Sequence, residues 1–135
     1  MRLPADLRRR PALYKRRPET APADPAPAGG RGYREFWPDY LALHRDPRNR
    51  ALHYLGTIGA ATALAVAILG RDWRLGALVP LIGYGPAWLG HSVFEHNRPA
   101  SFAHPAWSLA SDVRMLGLFL TGRLGGVLRG AGIAR

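Results

Sequence analysis

The five histidines of this 135-residue chain flank two apolar segments. His44 and His53 precede or begin the first segment, and His91, His96 and His104 follow the second. An antiparallel helical hairpin returns the chain to the side that it left, so both groups are expected at the same end of the hairpin. The chain has no cysteine, and imidazoles that converge without thiolates favour non-haem iron or zinc. The pattern therefore predicts one metal site built from histidines.

Charged side chains accompany the second group of histidines. Glu95 follows His91 by four residues and shares its helix face, whereas His96 is rotated away by roughly 140°. Glu95 or Asp112 could ligate the metal, or could hold an imidazole in one tautomer from outside the ligand shell. Arg98 could pair bidentately with a fatty-acid carboxylate. These three charged residues are the candidate catalytic residues.

Each of these residues also has a plainer interpretation. A single histidine near a membrane interface is usually an amphipathic anchor or a satisfied core group. Arg98 could instead lie among lipid headgroups or pair with Glu95, and Asp112 could simply bond an arginine or a backbone amide. The confinement of all the histidines to the flanks of one hairpin favours the metal site. We predict four of them as ligands: His44, His53, His91 and His104.

A short amphipathic helix is predicted from Tyr33 to about His44. Its apolar residues recur every three or four positions, and its aromatic residues are typical of a membrane–water interface. The helix should end there because Asp46 precedes a proline and is disfavoured in the α region. Asn49 is then expected to cap a second helix.

The two apolar segments predict a hydrophobic helical hairpin over residues 50–69 and 75–89. At ~1.5 Å per residue, residues 52–69 span roughly 27 Å, just enough for a thin bilayer core. Pro80 and Pro86 predict that the second helix is kinked or broken. The alternative to a membrane hairpin is a buried helical pair in a soluble bundle.

A third helix, amphipathic or membrane-embedded, is predicted from Pro105 to about Leu124. The predicted fold is therefore an all-α membrane protein with an interfacial helix, a helical hairpin and this third helix. The helical domain with its histidine-rich site would span residues 33–124. Residues 125–135 are expected to form a flexible basic C-terminus.

Residues 1–32 are rich in arginine and proline and predict a disordered basic tail. The net charge of +10 would suit a nucleic-acid binder. However, the charge lies in the flanks of the apolar segments, as in positive-inside membrane proteins. We therefore expect membrane lipids and no nucleic acid as partners. The expected location is the inner (cytoplasmic) membrane of a bacterium, with the site facing the cytoplasm.

Two stretches resemble the signatures of the Mpo-type 2-hydroxy fatty acid dioxygenases. The first contains YLALH at residues 40–44 and PRNRALHYLGT at residues 47–57. The second is GHSVFEHNRPA at residues 90–100, followed by HPAWSL at residues 104–109 and by Asp112. Together they extend the resemblance over about residues 33–120.

The resemblance implies an Fe(2+)-dependent membrane dioxygenase. It would convert a 2-hydroxy fatty acid and O2 to the fatty acid one carbon shorter, a step of fatty acid α-oxidation. By motif position, the four predicted histidines would be the iron ligands or their immediate partners, and His96 has no assigned role. One alternative is a non-catalytic membrane protein whose histidines bind structural haem or zinc. Another is a membrane-surface adaptor whose basic tail recruits anionic partners.

Overall fold

A computed structural model describes residues 32–133, and this part of the chain is all-helical, as the sequence predicts. The predicted disordered tail lies outside the described residues, apart from Gly32. The elements in chain order are α1 (Tyr33–Ala42), α2 (Pro47–Gly70), α3 (Trp73–Gly90), a π-helical turn (His91–Glu95), a 3-10 turn (Ala100–Phe102), α4 (Pro105–Leu120) and α5 (Leu124–Gly130).

The start of α2 differs from the sequence prediction. The helix begins at Pro47 and is capped by Asp46, whose side chain accepts a hydrogen bond from the backbone N–H of Arg48 at 2.8 Å. Proline suits the first turn because it has no N–H to leave unpaired. Asn49, the predicted cap, instead lies inside the first turn and is fully buried.

The hairpin forms where the sequence places it. Arg71 adopts a left-handed conformation (φ 51°) and ends α2. Asp72 then caps α3, with its side chain accepting from the N–H groups of Arg74 and Leu75 at 3.0 and 3.3 Å. The polar residues of this turn thus satisfy backbone groups that the two helix ends leave free.

The second apolar segment forms one α-helix in spite of its two prolines. Pro80 and Pro86 both lie inside α3, which continues to Gly90. The change of helix type comes after it, in the π-helical turn, which ends at His96 in a left-handed conformation (φ 51°). The predicted break therefore falls at the end of the apolar segment and not within it.

Helices α2 and α3 approach closely through small residues. A Cβ atom on Gly56 would collide with the carbonyl oxygen of Gly83. A Cβ atom on Gly83 would lie 3.3 Å from that of Ala60, and one on Gly76 would lie 3.9 Å from that of Ala67. Residues of rising number in α2 thus face residues of falling number in α3, so the helices are antiparallel.

The large apolar side chains of this hairpin point outward. Leu69 is 86% exposed, Leu81 66% and Leu55 65%. Among the described helices, α2 is the one long and apolar enough to cross a membrane. The predicted pair of membrane-spanning segments is therefore supported for α2 only.

The apolar core of large side chains lies outside the hairpin. It is built by residues of α1, α4 and α5 and by their flanking segments. Its fully or almost fully buried members include Tyr40, Leu41, Met115 and Leu128.

The C-terminal segment differs from the predicted flexible end. Helix α4 ends at Leu120, before a turn in which Gly122 is left-handed (φ 71°), and α5 follows. Leu128 and Ile133 are buried in the core. The reason is that apolar residues recur at helical spacing after Gly122, whose left-handed conformation allows the chain to turn.

The close approach of α2 and α3 makes a prediction about stability. Gly56→Ala should destabilise the protein by about 1–3 kcal/mol, because the new methyl group overpacks the contact with Gly83. Gly117→Ala is the matched control: nothing lies within 4 Å of its Cβ position, so the higher helix propensity of alanine should stabilise α4 slightly. Thermal unfolding followed by circular dichroism measures both. Equal effects would show that the glycine contact does not hold the hairpin together.

Candidate metal centre

Three histidines from three elements meet inside the protein. His44 follows α1, His53 lies in α2, and His91 opens the π-helical turn. The Nε2 atom of His44 lies 3.2 Å from that of His53 and 3.1 Å from that of His91. All three residues are buried, and their candidate ligand atoms lie within 4.8 Å of one another. The hairpin therefore brings both groups of histidines to one point, as the sequence predicts for these three.

The other ring nitrogen of His44 and of His53 faces an oxygen. The Nδ1 atom of His44 lies 2.5 Å from the backbone carbonyl oxygen of Tyr40, one helical turn earlier. The Nδ1 atom of His53 lies 2.7 Å from the Oδ1 atom of Asp112 on α4. The same carboxylate oxygen accepts a short hydrogen bond from the Tyr40 hydroxyl.

The corresponding partner of His91 is an amide. The Nδ1 atom of His91 lies 2.6 Å from the Oδ1 atom of Asn97. The Nδ2 atom of Asn97 donates to the backbone carbonyl oxygen of Leu43 at 3.1 Å. This second bond sets the orientation of the amide, because only its nitrogen can donate to a carbonyl.

These partners fix the tautomer of each ring. An oxygen acceptor at Nδ1 requires the ring hydrogen there, so the Nε2 atom of each ring in its neutral form carries a free lone pair. Three lone pairs that point at one another repel unless a cation lies between them. Nitrogens bound to one metal ion at ~2.0–2.1 Å are separated by about 2.8–3.4 Å at octahedral to tetrahedral angles. The two separations from His44 and the donor set thus fit a transition-metal ion.

Burial keeps the imidazoles of His44 and His91 neutral by lowering their pKa values. It lowers the pKa of His44 well below its usual value, and the neighbouring His53 and His91 add to the effect. Burial likewise lowers the pKa of His91 to about 4, although its hydrogen bond to Asn97 opposes this. A metal ion binds the neutral ring, so the low values favour ligation at neutral pH.

The Tyr40 hydroxyl keeps its proton for a similar reason. Burial raises its pKa well above the usual value, and the nearby Asp112 carboxylate raises it further. The Tyr40 ring also stacks on that of His44, with ring centroids 4.1 Å apart. Tyr40 therefore donates to the carboxylate and packs against one candidate ligand.

The side chains of Arg50 and Glu95 hold the loop that carries His44. The guanidinium of Arg50 donates from Nη1 to the backbone carbonyl oxygens of His44 and Arg45, at 2.9 and 2.7 Å. The Oε1 atom of Glu95 accepts from the backbone N–H of Asp46 at 2.7 Å. The candidate catalytic residue Glu95 thus contacts the loop backbone and not the group of three imidazoles.

The fourth predicted ligand is not brought into the group. His104 precedes α4, where its ring stacks on Trp107 (centroids 4.9 Å apart) and meets Phe36 edge-on (5.7 Å). The 3-10 turn at Ala100–Phe102 precedes this position and was not predicted. His96 is exposed on the left-handed residue after the π-helical turn.

The other two candidate catalytic residues, Arg98 and Asp112, contact different groups. The exposed Arg98 guanidinium lies over the Phe102 ring, 5.3 Å from its centroid. Asp112 bonds both His53 and Tyr40. Their assignment as catalytic residues stays a prediction, although the position of Asp112 matches the ring-orienting role considered for it.

Sequence reasoning missed Asn97, Tyr40 and Arg50 as partners of the centre. The sequence indicates Asn97 only as a residue that ends a helix, and Tyr40 only as an interfacial aromatic. The one available signal was their position beside histidines in the two motifs. Their contacts depend on the side-chain directions that the π-helical turn and the α1–α2 loop impose.

A small chamber adjoins the imidazoles. It has a volume of about 10 Å³ and is lined by residues that include His44, His53, Asp112, Ser108 and Tyr84. This volume is about that needed by one water molecule. The centre is thus closely packed on this side.

An all-helical fold with three buried, oxygen-oriented imidazoles defines this chain as a protein with a candidate histidine metal centre. Residues 31–124 match the family model described as 2-hydroxy-palmitic acid dioxygenase Mpo1-like. This match covers most of the chain, so the protein belongs to the Mpo1-like family, and the family resemblance of its motifs is confirmed. No curated protein and no solved structure matches the chain.

Alanine substitution of the histidines tests which of them hold a metal ion. His44→Ala, His53→Ala and His91→Ala should each lower the bound metal by orders of magnitude, because each removes one converging lone pair. His96→Ala and His104→Ala should retain it. Metal content of the purified variants by mass spectrometry gives the result, with helicity checked by circular dichroism. A loss at His104 as large as that at His91 would contradict a centre of three histidines.

The orienting contact of His91 makes a second prediction. Asn97→Ala should weaken metal binding by ~10–100-fold, because the ring loses the acceptor that fixes its tautomer and direction. His96→Ala, on the adjacent exposed residue, is the matched control and should leave affinity unchanged. Competition with a chelator of known affinity measures both variants. Equal affinities would show that Asn97 only links two loops.

Proposed function

We propose that this protein is a membrane-embedded, iron(II)-dependent dioxygenase that shortens 2-hydroxy fatty acids by one carbon. The observation that carries the proposal is the buried meeting of three Nε2 lone pairs. It occurs in a chain of the Mpo1-like family, whose description supplies the substrate class. Histidine ligands without thiolates suit a metal that activates O2 to oxidise a substrate with oxygen donors in its head group.

The overall reaction balances with O2 as the only oxidant. The carboxyl carbon leaves as CO2, the hydroxyl-bearing carbon becomes the new carboxylate, and the remaining oxygen atom leaves as water. Iron(II) bound by His44, His53 and His91 would supply positions for O2 and for a chelating 2-hydroxy carboxylate.

The protein's own residues hold and orient this centre. The Asp112 carboxylate, the Asn97 amide and the Tyr40 carbonyl each fix one imidazole, so that its Nε2 atom stays aimed at the metal position. Fixed ligands need little rearrangement when metal or substrate binds. Burial of all three rings excludes bulk water from the reacting atoms.

The surface of the hairpin supports a membrane location. Helix α2 is long and apolar enough to span a bilayer, and large apolar side chains on both hairpin helices are exposed. Contacts between small residues, such as Gly56 with Gly83, are typical of helices that pack within membranes. Trp73, which is 75% exposed at the hairpin turn, suits the membrane–water interface. The bacterial inner membrane and the cytoplasmic orientation stay predictions.

Product analysis tests the proposed reaction. Protein freed of metal by chelation and reloaded with iron(II) should convert 2-hydroxy palmitate to pentadecanoate in the presence of O2. Mass spectrometry of the products checks this, and His91→Ala treated in the same way should form none. Reloading with zinc should give no product, because zinc has no redox chemistry.

The alternative of a structural metal makes opposite predictions. Such a protein would retain zinc or show a haem spectrum. If it also formed no shortened acid after iron loading, the dioxygenase proposal would be contradicted.

A further inference from the structure

An apolar groove lies between α2, α3 and α4, beside the three-histidine centre. Its volume is about 350 Å³, which lies in the usual range for ligand sites. Its walls are formed by small and aliphatic residues of α2 between Thr57 and Leu64, and by residues of α3 and α4. Those of α3 are Val79, Pro80, Gly83 and Tyr84, and the apolar ones of α4 are Leu109 and Val113. The volume of the groove is much larger than that of the chamber beside the imidazoles, which is about 10 Å³.

The groove adjoins the metal centre. Tyr84 and Asp112 line both the groove and the small chamber that His44 and His53 also line. The Asp112 carboxylate in this shared wall is the one that bonds His53. One end of the groove therefore lies against Asp112, the hydrogen-bond partner of His53.

Polarity changes along the groove. Asp112, Tyr84 and Thr57 lie toward the histidine end, whereas Leu64 and Val79 lie toward the hairpin turn, as the antiparallel packing of α2 and α3 requires. This gradient suits a molecule with a polar head and a long apolar chain.

A buried hydroxyl beside the small chamber has no hydrogen-bond partner within residues 32–133. The Oγ atom of Ser108 is buried and belongs to a residue that lines the small chamber. A buried polar atom without a partner is costly and rare in native proteins. The chamber has room for about one water molecule, which would satisfy it.

The distance from the metal centre to the far end of the groove suits a long linear chain. Leu64 lies eleven residues beyond His53 on α2, a distance of ~16 Å along the helix axis. An extended chain advances about 1.2 Å per bond, so this distance spans roughly 13 bonds.

We propose that this groove binds the acyl chain of the substrate, with the polar head toward the histidines and the chain running toward Leu64 and Val79. This inference rests on the proposed function, because it takes the 2-hydroxy fatty acid as the occupant. It assigns chain-length selectivity to the residues of α2 and α3 that line the groove.

Two neighbouring small residues of α2 provide a matched pair of variants. Ala61 lines the groove, whereas Thr62 is not among its lining residues, and both are exposed. Phenylalanine at either position should therefore leave the fold intact, but only Ala61→Phe should obstruct the groove. Ala61 lies eight residues beyond His53, or ~12 Å along the axis and about 10 bonds of an extended chain.

Turnover of long and short substrates provides the first measurement. Ala61→Phe should lower kcat/KM for 2-hydroxy palmitate at least about tenfold. It should spare 2-hydroxy octanoate, whose chain ends before this position. Thr62→Phe should change neither value. Equal behaviour of the two variants would overturn the assignment of the groove.

Photolabelling of the metal-free protein provides a measurement independent of activity. A 2-hydroxy palmitate with a diazirine at its methyl end should label peptides that contain Leu64 or Val79. An excess of unlabelled 2-hydroxy palmitate should displace it. Ala61→Phe should abolish this labelling, and Thr62→Phe should retain it. Equal displacement by a diacyl phospholipid would show a bilayer-lipid site and overturn the proposal.

The two proposals fail in different ways. Displaceable labelling of the groove in a protein that forms no shortened acid would overturn the dioxygenase while the groove assignment stands. Turnover without labelling of the groove, and without an effect of Ala61→Phe, would overturn the groove assignment alone.

Discussion

The meeting of three imidazole lone pairs is the constraint on which the rest of the structure depends. The Nε2 atom of His44 lies 3.1–3.2 Å from those of His53 and His91. Lone pairs at such distances gain nothing from one another, so other contacts must hold the rings. The three acceptors come from α1, from α4 and from the segment after the π-helical turn: Tyr40, Asp112 and Asn97. Each of these elements thereby fixes the orientation of one ring. A metal ion bound between the rings would turn the repulsion among their lone pairs into attraction.

The fold divides its packing between two kinds of contact. Large side chains of α1, α4 and α5 form a core of ordinary type, whereas α2 and α3 meet through glycine and alanine and expose their leucines. Small residues allow the two backbones to approach, which aligns His53 and His91 at one end of the hairpin. They also leave room beside α4 for the groove, because small side chains do not fill the space between three helices.

Much of the centre could be predicted from connectivity and residue type. A helical hairpin must return His91 to the end where His53 begins, whatever the details of packing. The absence of cysteine limits the ligands to imidazole and carboxylate. The proline at residue 47 separates α1 from α2 because its ring disfavours a helical conformation at Asp46. These inferences need only local sterics and chain direction, and the structure agrees with them.

The orientation of each side chain was decided by tertiary structure. Regular helical spacing places Glu95 on the face of His91, but the wider π-helical turn lets Glu95 bond the backbone of Asp46 and lets Asn97 reach the ring. A 3-10 turn likewise precedes His104, which packs on aromatic rings. Such turns break the 3.6-residue period from which side-chain faces are inferred. The sequence alone therefore determined the hairpin and three of the histidines at its end, whereas packing decided which further residues contact them.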